Sequence, residues 1–104
     1  MANEIDLSTA VDYTTAWRNA LPQGDFNIKA WLISSDIFTS IISDSNPPNI
    51  RAYIGVDGDG EYKLVIVGVD DSGNDILYSS SGDSAIYDFT QPCPNTCDTD
   101  SPLN

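Results

Sequence analysis

No histidine occurs in this sequence, and only four of its 104 residues are basic: Arg18, Lys29, Arg51 and Lys63. Without an imidazole there is no Ser-His-Asp or Cys-His nucleophile system, no imidazole general base and no imidazole metal ligand. The shortage of cations removes the footprint by which proteins hold nucleic acid or an anionic membrane, so neither is an expected partner. No apolar run approaches about 18 residues, the length of a membrane-spanning helix. Residues 1 to 9 have neither the basic nor the apolar region of a secretion signal, which points to a soluble, cytoplasmic protein. Sulfur is confined to Met1, Cys93 and Cys97.

What the chain does have is acid. Fourteen aspartates and two glutamates give a formal charge of −12. Hydrophobic residues still make up 40% of the sequence, with two Trp, five Tyr and three Phe, enough for a core and against wholesale disorder. The length suits one folding unit that buries about 65% of its unfolded surface. We expect residues 1 to 90 to form that unit and residues 91 to 104 to be a loop-like tail.

Ala10, Tyr13, Trp17, Ala20 and Leu21 recur at three- and four-residue spacing, predicting a helix over residues 8 to 21 with Ser8 as its cap and Pro22 and Gly24 as its stop. Trp17 falls on the apolar face of that helix. Ile28, Ala30 and Leu32 alternate with Lys29, Trp31 and Ile33 in a strand over 28 to 33. Ser34, Ser35 and Asp36 offer a cap for a short helix over 37 to 43, carrying Ile37, Phe38, Ile41 and Ile42 and ending before Asn46-Pro47-Pro48.

An internal echo follows. Tyr53-Ile54-Gly55-Val56-Asp57-Gly58-Asp59-Gly60 is repeated in outline by Ile66-Val67-Gly68-Val69-Asp70-Asp71-Ser72-Gly73, each a strand running into an Asp/Gly turn. Strands over 50 to 56, 61 to 69 and 75 to 79 then form an antiparallel meander with tight hairpins at Asp59-Gly60 and Ser72-Gly73. Leu64 to Val67 are apolar on both faces, which places that strand at the centre. Residues 85 to 89 supply a further strand. The expected fold is α+β, a small antiparallel sheet of three to five strands packed with two short helices, with a flattened barrel as the alternative.

Metal binding competes with simpler readings for both the acids and the sulfurs. Calcium takes six to eight oxygens, and the two hairpins carry Asp57, Asp59 and Glu61, and Asp70, Asp71, Asn74 and Asp75. Neither follows the EF-hand pattern, and hairpins of a meander point to opposite ends of a sheet. Against calcium stands the simpler reading that Asp and Gly occupy turns because they tolerate positive φ and bond their own backbone. Cys93 and Cys97 offer a local disulfide, two reduced thiols, or half of a thiolate metal site for zinc. Their spacing is one residue longer than the redox Cys-x-x-Cys motif, and no nearby cation activates a thiol. No cofactor is otherwise expected.

A catalytic reading has little to stand on. Ser84 with Lys63 or Lys29 can be drawn as a Ser-Lys dyad, and Gly82-Asp83-Ser84 looks like a hydrolase triplet, but spacing does not favour the first and the second lacks its histidine. Trp31, Tyr53, Tyr62 and Tyr78 are candidate interaction residues, the tyrosines as a cross-strand cluster that serves either packing or recognition.

Lys29-Ala30-Trp31-Leu32-Ile33, Arg51-x-Tyr53-x-Gly55-x-Asp57, Val67-Gly68-Val69-Asp70 with Gly73-Asn74-Asp75, and Ile86-Tyr87-Asp88 before Pro92-Cys93-Pro94-x-x-Cys97 resemble the pattern of a family of short, uncharacterised acidic bacterial proteins. The resemblance covers about residues 27 to 97. It implies no activity, and it implies that the cysteines belong to a shared pattern, structural or metal-binding.

The charge makes the remaining prediction. A body at −12 attracts basic protein surfaces and speeds encounter with them. The expected function is that of a non-enzymatic acidic protein binding a basic partner, in the manner of an inhibitor or immunity factor. Metal binding and mimicry of duplex DNA are the alternatives.

Overall fold

The computed structural model describes residues 4–20, 28–88, 90–93 and 96–104. The elements run α1 (Leu7–Ala20), β1 (Ala30–Ile33), α2 (Ser35–Ser45), β2 (Asn49–Val56), β3 (Tyr62–Val69), β4 (Asp75–Ile76) and β5 (Thr90–Cys93). They form two antiparallel sheets, a three-stranded β2-β3-β4 meander and a two-stranded β1-β5 pair. The fold is α+β as expected, with β3 central, but its strands are split between two sheets. Among the described residues no helix is long and apolar enough to cross a membrane.

Helix α2 is the element that builds the core. Ser34 caps it in extended geometry, and Asn46 ends it at φ 42° with its N–H returned to the Ile42 carbonyl at 3.0 Å. The left-handed turn is one that Asn tolerates better than most residues. Pro47 and Pro48 then forbid any continuation. Ile37 and Ile41, one turn apart, bury against Ile66 of β3, and Ile33, Leu64 and Tyr87 pack around them.

Helix α1 behaves differently. Its cap is Asp6 rather than Ser8: the carboxylate accepts the Thr9 N–H at 2.8 Å and the Ser8 hydroxyl at 3.1 Å. Those bonds, Thr9's foremost, hold the Asp6 carboxyl below the usual carboxylate range. Trp17, on the helix's apolar face, does not enter the core: no residue of α1 is buried and Trp17 is 40% exposed. The helix is tied down by polar contacts, from Trp17 Nε1 to the Ile28 carbonyl and from Arg18 to the Leu103 carbonyl, each 2.7 Å. Its predicted stop at Pro22 and Gly24 lies outside the described residues.

The far edge of β3 is completed in three pieces. Gly68 and Val69 pair with Ile76 and Asp75 of β4. Ile66 exchanges both backbone bonds with Tyr87, at 2.7 and 3.0 Å. Leu64 bonds a side chain, because Thr90 Oγ1 accepts its N–H at 3.0 Å and donates to its carbonyl at 3.4 Å. The strand predicted over 75 to 79 therefore stops at Ile76, and that over 85 to 89 reduces to the Tyr87 bridge, with Phe89 outside the described residues. The loop-like tail predicted from Gln91 gives way over Gln91–Cys93 to strand, since β5 pairs residue for residue with β1. The radius of gyration, 15.6 Å, exceeds the roughly 13 Å of a compact domain this long, in keeping with the unburied α1.

Where α2 and its proline exit cross the sheet, only glycine fits. A Cβ on Gly68 would lie 2.8 Å from Pro47 Cγ and 3.3 Å from Ile41 Cγ2. Gly68→Ala should cost about 1–3 kcal/mol by overpacking, read as a lowered Tm in calorimetry. Gly58→Ala, whose methyl meets nothing within 4 Å, should stay within about 0.5 kcal/mol of the parent.

Candidate functional site

Three turns of one design carry much of the surface acid. In residues 57–61 the Asp57 N–H bonds the Glu61 carbonyl at 2.9 Å, and the Gly60 N–H bonds the Asp57 carbonyl at 3.1 Å. Residues 70–74 repeat this at 2.9 and 3.0 Å, and residues 79–83 at 2.7 and 2.9 Å. The fourth residue is glycine each time, at φ 83°, 85° and 90°, as a three-residue hairpin loop with a left-handed closing residue requires. The third copy was not predicted: its opening residue is Ser79, so the Asp/Gly signature is half missing.

The opening aspartate explains why Asp is used here and not Glu. Asp57 Oδ1 accepts the N–H groups of Asp59 and Glu61 at 2.9 and 3.0 Å, and Asp70 Oδ1 accepts those of Ser72 and Asn74, both at 2.9 Å. A side chain one methylene longer would overshoot these donors. Asp59, Glu61 and Asp71 are exposed around them. The two turns close opposite ends of β3, so the seven candidate calcium ligands are not brought together. Among the described residues no group of three or more Cys, Asp or Glu is placed to hold a metal ion.

Asp75, proposed as a ligand of the second hairpin, is otherwise engaged. Arg51 Nη1 lies 2.6 Å from its Oδ1, and the Tyr53 hydroxyl donates to its Oδ2. Tyr53, and then Asp75, hold the Arg51 guanidinium above its already high usual value. Sequence reasoning missed this cluster, although the i, i+2 spacing of Arg51 and Tyr53 on one strand placed them on a common face.

The tyrosines do not form a cluster. Tyr53 stands opposite Val65 and Tyr62 opposite Val56, so by strand alternation the two lie on opposite faces of the sheet. Tyr78 is exposed beyond β4, bridged to Ser84. The Ser84 hydroxyl accepts the Ile86 N–H at 3.4 Å, while Lys63 Nζ donates to the Thr90 carbonyl at 2.9 Å; the imagined Ser-Lys pair is thus held by different partners.

Cys93 and Cys97 are joined in a disulfide, which leaves neither as a thiolate ligand in this state. The bond borders a cavity of about 230 Å³ between β1 and the C-terminal segment, also lined by Trp31, Leu32 and Leu103. Trp31 is half-buried, and its indole N–H is buried with no acceptor.

The chain matches no protein family, no curated protein and no solved structure.

Two measurements check these assignments. Asp57→Ala, which strips two amides of their acceptor, should destabilise by about 1 kcal/mol in denaturant unfolding, and Asp59→Ala should fall within about 0.5 kcal/mol of the parent. Reducing the five-residue Cys93–Cys97 loop should cost about 2 kcal/mol on the chain-entropy scale. It should speed hydrogen exchange first at Lys29, whose N–H bonds the Cys93 carbonyl at 2.7 Å.

Proposed function

We propose that this chain is a non-enzymatic acidic binding protein whose partner is a basic protein. One observation carries the reading: three of the four basic side chains are engaged by groups of this chain itself. Arg18 donates to the Leu103 carbonyl, Lys63 to the Thr90 carbonyl and Arg51 to Asp75. The charge of −12 stands after all four bases are counted against the sixteen acids, and Arg51–Asp75 is the one ion pair among the described residues. Such a field raises encounter rates with cationic surfaces and repels nucleic acid and anionic lipid. An inhibitor or immunity factor for a basic enzyme or toxin fits these terms.

Mimicry of duplex DNA is the second reading. It would be served by a continuous row of carboxylates at phosphate-like spacing, and here the acids of two turns sit at opposite ends of one sheet. Metal binding has less support, because Asp57 Oδ1 and Asp70 Oδ1 each already accept two amides. Kinship with the uncharacterised acidic bacterial family remains part of the proposal.

Disulfides persist mainly in oxidising surroundings, and the Cys93–Cys97 bond therefore favours an oxidising compartment over the cytoplasm expected from the first nine residues.

Capture from native lysate tests the function. Basic proteins should be held at about 50 mM salt and released near 500 mM, where the Debye length shrinks from roughly 14 to roughly 4 Å. A partner that is not basic, or one whose retention ignores salt, would sink the proposal.

A further inference from the structure

Resting on the reading of a basic protein partner, the geometry points to where that partner docks: we propose that the free edge of β2 accepts an extended segment of it as an added strand.

The hydrogen-bonding phase of the sheet identifies which groups are free. On β3 the even-numbered residues Leu64, Ile66 and Gly68 face the far edge, as the two-way Ile66–Tyr87 bonds show. Its odd-numbered residues therefore serve β2, where they stand opposite Asn49, Arg51, Tyr53 and Gly55. The alternation of an antiparallel ladder leaves the N–H and C=O groups of Ile50, Ala52, Ile54 and Val56 pointing outward. No described strand pairs with this side.

Proteins usually protect so long an edge with proline, charge, a bulge or brevity. β2 has eight residues, contains no proline, and pairs one to one with β3 along its whole length. Its one charge, Arg51, is neutralised by Asp75 and lies on the other face from Ile50, Ile54 and Val56. Those three apolar side chains are 39%, 63% and 63% exposed. They continue the face on which Ile41 and Ile66 form the core, and Ile42 of α2 is exposed as well.

Charge chooses the occupant. Asp57, Asp59 and Glu61 stand just past Val56, and Asp70 and Asp71 just past Val69, which pairs with Asn49 at the other end. An antiparallel pairing of two copies would set the first acidic turn of each beside the second acidic turn of the other. A parallel pairing would set like turns together and lay the apolar face of one copy beside the Arg51 and Tyr53 face of the other. The complementary occupant is a strand with apolar residues at alternate positions and lysine or arginine just beyond both ends.

The probe is a ten-residue peptide alternating valine and threonine between pairs of lysines, titrated into the intact protein by fluorescence anisotropy and amide exchange. Binding should slow exchange at Ile50, Ala52, Ile54 and Val56 and leave Arg51 and Tyr53 unchanged. N-methylation of the peptide's edge-facing amides should weaken binding by about tenfold or more, since backbone bonds are lost while charge is kept. On the protein side, Ile54→Asp should weaken binding while preserving the exchange protection of β3. Equal binding of parent and methylated peptides, or protection confined to other residues, overturns the edge site while the acidic-binder reading survives. Failure of both peptides to bind at low salt overturns both. Dimerisation of the free protein with the same four amides protected overturns the choice of occupant.

Discussion

The hydroxyl of Thr90 stands where the backbone of a neighbouring strand would otherwise be. Leu64 lies past the reach of β4 and of the Tyr87 bridge, and its N–H and C=O would be unpaired if Thr90 Oγ1 did not meet both. The Thr90 carbonyl meanwhile takes the Lys63 ammonium, and the residue itself is 1% exposed. A backbone group left unpaired away from water costs as much as a lost hydrogen bond. Thr90 also opens β5, opposite Ile33 of β1. The same residue therefore joins the two sheets and carries Ile33 to the core cluster under α2. A valine here would match the volume and supply neither bond.

Most of what was legible in the sequence was local. The α2 cap, the meander and the centrality of β3 are written in Ser34, in the glycines of two turns and in the unbroken apolar run from Leu64 to Val67. Pairings that join distant residues left no such mark. Nothing in Thr90-Gln91-Pro92-Cys93 announces a strand, because Pro92 has low strand preference and the partners lie about sixty residues earlier. The β1–β5 sheet exists through tertiary pairing that outweighs that preference. Ser8 was chosen as the α1 cap by residue type, and Asp6 took the role because its carboxylate reaches two donors at once.

The candidate site was legible in kind and illegible in grouping. Asp57 and Asp70 share a sequence pattern, and the pattern proves to be a turn recipe repeated with serine at residue 79. The acid is thereby divided in two: carboxylates consumed by their own backbone, and carboxylates such as Asp59 and Asp71 that are merely carried to the tip. That Asp75 answers Arg51 and Tyr53 depends on strand register, which residue type alone does not set.

The splitting of the sheets bears on the order in which the chain acquires structure. β2, β3, β4 and the turn at residues 79–83 connect neighbours in sequence, so their loops close at small entropic cost. β1 must wait for β5, about sixty residues further along, and the Cys93–Cys97 bond spans too few residues to shorten that search. Until then the Leu64 backbone and the inner side of Ile33 lack their partners. Synthesis from the N-terminus thus leaves β1 an orphan until β5 has emerged, and Thr90 acts as the latch that ends the wait.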